Sequence, residues 1–96
     1  MNGWRKLNLG DTLLAGDQRD CIAAAIGSAY SATGDAEMAA FVRHESGALH
    51  CDFVVYFTPA AASVGRRMGA QPCAAPATRE LTLLAGSERA FELLSP

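Results

Sequence analysis

The chain opens on alternating residues, Trp4-Arg5-Lys6-Leu7-Asn8-Leu9, which place Leu7 and Leu9 on one side of an extended strand. Gly10-Asp11 reads as the turn that follows. From Gly16 the period changes. Asp17 is placed to cap a helix by accepting from the free amides of its first turn, and Asp20 adds negative charge near the positive end of the helix dipole. Cys21, Ile22, Ala25, Ile26 and Ala29 then recur at helical spacing, and Gly34 is a natural left-handed stop. Alternation returns in residues 37–45 and 48–57, two strand-like runs joined at Ser46-Gly47. A tight hairpin there pairs His44 with Leu49, Val42 with Cys51 and Ala40 with Phe53. One face then carries Ala40, Val42, Leu49, Cys51, Phe53, Val55 and Phe57, the core side. The other carries Phe41, Arg43, His50, Asp52, Val54 and Tyr56 and is mixed. A one-residue slip would turn Asp52 into the core, which specifies the assignment of faces.

Thr58-Pro59 starts a second helix, because threonine caps and proline at the first helical position loses no hydrogen bond. That helix covers residues 60–68 and ends at Gly69. Residues 71–77, with Pro72 and Pro76, read as a loop, and residues 79–84 as a last strand. Ser87 caps a terminal helix whose first turn holds Glu88 and whose buried side is Ala90, Phe91 and Leu94. The order strand, helix, strand, strand, helix, strand, helix predicts a single α+β domain over residues 1–96. Its expected form is an antiparallel sheet with a central β-hairpin at about residues 37–57 and two to three helices, split βαβ-like with a C-terminal helix.

Composition sharpens this picture. Half of the 96 residues are hydrophobic, but alanine dominates that half, and alanine contributes close backbone packing more than transfer free energy. The large anchors are few: Trp4, Phe41, Phe53, Tyr56, Phe57 and Phe91. The core is therefore expected to be thin. The net charge of −2 lacks the basic footprint of electrostatic nucleic-acid binding; Arg5-Lys6 and Arg66-Arg67 are two isolated basic pairs. No run of apolar residues is long enough to span a bilayer, and residues 12–15 are too short a run for a signal peptide. Three widely spaced cysteines without a CxxC fit reduced thiols and a cytoplasmic location.

Two constellations carry candidate chemistry. Cys21 lies in the opening turns of the first helix, where free amides and the helix dipole favour a thiolate, and His50 and Asp52 lie near the start of a strand. The segments Asp20-Cys21-Ile22-Ala23-Ala24 and His50-Cys51-Asp52-Phe53-Val54-Val55 resemble the surroundings of nucleophile and base in papain-like thiol hydrolases. That resemblance implies Cys21 as nucleophile, His50 as base, Asp52 as its orienting group and Gln18 as an oxyanion donor. The competing reading makes Cys21 a small buried hydrophobe and sets His50 and Asp52 on a solvated sheet face.

The second constellation is that sheet face itself. Arg43, His50 and Asp52, with Phe41 and Tyr56, join aromatic, basic and acidic groups on one surface, able to hold a planar or anionic ligand or a partner protein. His44, His50, Cys51 and Cys73 show none of the close spacings of a metal site, and there is no phosphate loop. Cys73, between two prolines, is expected to be the most exposed thiol. The leading expectation is a non-enzymatic module that uses this face to bind a partner, a second copy included, with no cofactor. The alternative is a small thiol hydrolase.

Overall fold

The computed structural model describes residues 3–11, 16–46, 51–77 and 81–90. Its elements are β1 (Arg5–Asn8), α1 (Gly16–Thr33), β2 (Ala39–Ser46), β3 (Cys51–Phe57), a 3-10 turn (Pro59–Ala61), α2 (Ala62–Arg67), β4 (Gln71–Pro72) and β5 (Thr82–Gly86). Residues 88–90 begin a further helix. The five strands form one sheet in the order β4-β1-β3-β2-β5, and every neighbouring pair is antiparallel. β1 and β2 therefore run the same way with β3 between them, joined through α1, which is the split βαβ arrangement. The fold is α+β, as the pattern of elements predicts.

The central hairpin differs from expectation in register. Val42 faces Val55, Ala40 faces Phe57, and the last pair is Ser46 with Cys51. The turn therefore does not fall at Ser46-Gly47, and residues 47–50, between the two strands, lie outside the described residues. The reason is burial. With a tight turn, Tyr56 and Phe57 would run past the start of β2, where Asp35 Oδ1 accepts from the Glu37 amide and the chain turns. Moving the pairing by four residues sets Phe57 on Ala40 and Tyr56 on Phe41, all four buried. Because four is even, each side chain keeps its face.

Both faces of the sheet are covered. On the first, Ile22 and Ile26 of α1 and Val64 of α2 pack against Leu9, Ala40, Val55 and Phe57. α2 comes close because residue 65 is glycine: a Cβ there would stand 2.9 Å from the Phe57 ring. Thr58 fastens the entry to this helix, its Oγ1 accepting from the amides of Ala61 at 3.3 Å and Ala39 at 3.2 Å. On the second face, Trp4, Leu81 and Ala90 close over Ala39, Phe41, Val54 and Tyr56. The sheet side read as open is therefore a second, smaller core.

Other local expectations are adjusted. α1 begins at Gly16, so Asp17 lies inside the first turn and is not the cap. Cys21 is exposed; the buried stripe is Ile22 and Ile26, with Ala25 and Ala29 packed beside them. Gly34 does stop the helix, at φ +66°, its amide donating to Tyr30 O at 2.7 Å. Within the segment read as a loop, Gln71 and Pro72 pair with Lys6 and Arg5 as a short edge strand, a position where proline costs no ladder bond. The last strand is β5, later than expected. It carries a bulge that turns both Leu84 and Ala85 toward the first core. Ser87 Oγ accepts from the Ala90 amide at 3.3 Å, the capping bond anticipated. Phe91, Leu94 and residues 78–80 lie outside the described residues.

Candidate functional site

Period-two alternation in β2 sends Phe41, Arg43 and Glu45 to the second face, and in β3 it sends Asp52, Val54 and Tyr56 there. Arg43 stands opposite Val54, so Tyr56 is its diagonal neighbour. Arg43 Nε donates to Glu45 Oε1 at 3.1 Å, and Arg43 Nη2 donates to the Tyr56 hydroxyl at 2.8 Å and also to Glu45 Oε1. The Tyr56 hydroxyl in turn donates to Glu45 Oε1. The guanidinium carbon lies 5.1 Å from the centre of the Tyr56 ring. Three side chains thus close a ring of charge-assisted hydrogen bonds at the rim of the second core.

The electrostatics follow from that ring. The Tyr56 hydroxyl and the Arg43 guanidinium both stabilise the Glu45 carboxylate and hold it below the usual carboxylate range. Burial, reinforced by the hydrogen bond to Glu45, pushes the Tyr56 phenol up to about 12. The hydrogen bond that Arg43 donates to Glu45 raises the guanidinium further above its ordinary value. The ring of Tyr56 is buried, whereas the side chains of Arg43 and Glu45 are 21% and 34% exposed. The charged end of the cluster meets solvent while its aromatic base does not.

Arg43 and Glu45 also line a concavity of about 850 Å³ at the end of β2, together with His44, Ser46, Phe53 and Thr82. His44 lies stacked on Phe53 with ring centres 4.5 Å apart. The stack belongs to the first face of the sheet and the Arg43–Glu45 pair to the second, so the concavity wraps the edge of β2 between them.

Of the anticipated binding residues, Arg43 and Tyr56 are brought into direct contact. Phe41 is fully buried beneath them, so it supports the site and does not line it. Asp52 shares the face but accepts from Asn8 Nδ2 at 3.0 Å. His50 lies outside the described residues. Glu45, which orients Arg43, was not singled out from sequence, although its place two residues beyond Arg43 on one strand is the signal that finds it.

The hydrolase constellation does not assemble in the described part. Cys21 is exposed on α1, beyond the first turn, and faces a groove toward α2 that Val64 and Met68 also line. Asp52 stands on the opposite face of the sheet. Cys73, expected to be the most exposed thiol, is the least exposed of the three, and burial pushes its thiol up. Among the described residues no three His, Cys, Asp or Glu side chains converge as metal ligands. No helix in the described part is long and apolar enough to cross a membrane. Compared with known protein families, curated proteins and solved structures, the chain matches none.

Proposed function

We propose that this domain is a non-enzymatic interaction module that takes its partner at the Arg43–Glu45–Tyr56 cluster and the concavity beside it. The observation that carries the reading is the held guanidinium. Glu45 and Tyr56 fix Arg43 from one side, which removes most of the rotamer freedom an arginine ordinarily loses on binding. It borders a concavity at the β2 edge, on whose other side the His44–Phe53 stack lies. Three free cysteines support a reducing, cytoplasmic setting. The test compares wild-type protein with Arg43→Ala, checked for folding, in quantitative capture from extracts of the cells that make it. A partner held by wild type and lost with Arg43→Ala is expected; equal capture by both proteins rejects the site.

A second copy is a partner in its own right, and the two sheet edges favour β5 as its place. β4 is two residues long and holds Pro72, both devices that blunt an edge. β5 carries no charge and no proline, and its Leu83 and Leu84 are only partly buried. Antiparallel pairing of β5 with its own image would complete their burial about a two-fold axis. Sedimentation equilibrium checks it: mass rising from 10.1 kDa toward twice that value with concentration, and a shift back with Leu83→Lys, are the expected results. A wild-type mass of one chain throughout excludes it.

A further inference from the structure

One member of each basic pair of the sequence meets the other in space, Arg5 and Arg66. Arg5-Lys6 lies on β1 and Arg66-Arg67 at the end of α2, and α2 packs against β1. Between them is a recess of about 140 Å³ lined by Gly3, Trp4, Arg5, Ala62, Arg66 and Pro72, with Cys73 at its side. Two of these side chains are guanidinium groups and none is a carboxylate. The segments that build this end of the domain are equally one-sided. The described residues 3–7 and 59–77 contain Arg5, Lys6, Arg66 and Arg67 and no Asp or Glu, in a chain whose net charge is −2. Such a separation of charge concentrates a positive potential in a concave site.

We propose that this recess binds a small oxyanion, phosphate or the phosphate group of a monoester, between Arg5 and Arg66. Arg5 is half-buried and its position is set by the bond from Nη1 to Ala70 O at 2.8 Å, which leaves the rest of its fork available. Arg66 is exposed on the last turn of α2, one helical turn after Ala62 on the same side. Two forks with fixed or short reach onto one recess suit a tetrahedral oxyanion better than two lysines would, because each guanidinium can bond two oxygens at once. The Cys73 thiol, held neutral by burial, adds no competing negative charge. The carboxylate that acts on Cys73 from a distance, Glu45, is already paired with Arg43. The site is separate from the Arg43 concavity, and either can fail without the other.

The chain carries its own reporter, since its one tryptophan, Trp4, lines the recess. Trp4 fluorescence is titrated with inorganic phosphate and with O-phosphoserine at constant ionic strength, sodium chloride serving as the reference. Saturable quenching or enhancement by phosphate, absent with chloride, is expected. Arg66→Ala should weaken it by about tenfold or more, the loss of one charge-assisted pair. Arg67→Ala should leave it within about twofold, because Arg67 lines the groove toward Cys21 on the other side of α2. In parallel, bound phosphate should slow alkylation of Cys73 but not of Cys21 or Cys51, both of which lie elsewhere and are exposed. Tighter binding of O-phosphoserine than of phosphate identifies a monoester as the source, and the reverse identifies the free ion. The proposal is overturned if phosphate behaves as chloride does, if Arg66→Ala binds as well as wild type, or if Arg67→Ala loses as much as Arg66→Ala.

Discussion

Replacing Tyr56 with phenylalanine removes one oxygen from the centre of the polar ring and leaves the aromatic packing on Phe41 in place. In the wild-type chain that oxygen donates to Glu45 and accepts from Arg43 Nη2 at 2.8 Å. A hydrogen bond to a charged group contributes about 1.5–3 kcal/mol, but Arg43 and Glu45 keep each other and reach water, so about 1–2 kcal/mol of net loss is expected at neutral pH. A second, sharper consequence is alkaline. The folded chain holds the Tyr56 phenol at about 12 against an ordinary 10.0. The neutral phenol is the form the fold favours, so this stabilisation is complete below about pH 10 and is lost as pH rises toward 12. Two units correspond to at most about 2.7 kcal/mol, and nearer about 2 kcal/mol once the solvated end of the cluster is allowed for. Urea unfolding followed by Trp4 fluorescence, at about pH 8 and about pH 11, measures both effects. Wild type should lose more stability between the two conditions than Tyr56→Phe, so that the gap between them narrows as pH rises. Groups titrating alike in both proteins cancel in that comparison. In a Tyr30→Phe background the phenolate absorbance belongs to Tyr56 alone and should appear well above pH 10. A gap that stays constant with pH, or a phenolate that forms at the ordinary value, refutes the reasoning.

Other substitutions test the packing. Gly65→Ala should cost about 1–3 kcal/mol because its Cβ meets the Phe57 ring at 2.9 Å, whereas Gly27→Ala, which meets nothing within 4 Å on exposed α1, should gain about 0.5–1 kcal/mol; urea midpoints that move the same way for both would contradict this. Thr58→Val keeps the shape but orphans the buried Ala39 amide and weakens the turn at Ala61, so a loss of about 2 kcal/mol is expected by thermal or urea unfolding, and a neutral change would deny Thr58 its fastening role. Gly86→Ala combines φ +134° with a Cβ 2.6 Å from Met38 O and Ala39 Cβ, and should destabilise by about 3 kcal/mol or more, seen as loss of the cooperative transition; a variant that melts as wild type does would show that β5 leaves β2 at no cost.

The sequence pattern captured the faces of the hairpin more securely than its pairing. Val42 was matched with Cys51 and is found on Val55, yet no side chain changed sides, because alternation constrains parity and only burial selects among registers of equal parity. The burial that decided it belongs to Phe57 and Tyr56, whose partners Ala40 and Phe41 are remote in the chain. The covered second face was harder to read. Its signal is Trp4, an aromatic residue on the side of β1 away from Leu7 and Leu9, which has no reason to face water; the covering Leu81 and Ala90 come from segments whose placement only the tertiary fold supplies. Alternation alone put Arg43 and Tyr56 on one face, but the tight-turn register set His50 opposite Arg43, and only the observed register makes Tyr56 its diagonal neighbour. Arg5 and Arg66 were not legible as neighbours, because they meet through the packing of α2 on β1, which depends on Gly65 allowing the helix close to Phe57.

A ring of charge at the edge of a core can be a structural device without being a recognition site, and replacing such a group by apolar residues of similar size is often neutral or stabilising. The double substitution Arg43→Met with Glu45→Leu separates the two roles. It removes both charges together, so neither is left without its partner, while the long side chains continue to cover Tyr56. The Tyr56 hydroxyl then reaches solvent through the same rim that leaves Glu45 34% exposed. Unfolding should therefore change by less than about 1 kcal/mol, whereas Arg43→Met alone, which leaves Glu45 against Tyr56 without its cation, should cost more. If the cluster serves only the fold, the double variant behaves as wild type in every binding assay. If the held guanidinium is the anchor, the double variant is as stable as wild type yet captures nothing that depends on Arg43. Stability retained with binding lost is the expected outcome; binding retained by a folded double variant removes Arg43 from the recognition surface.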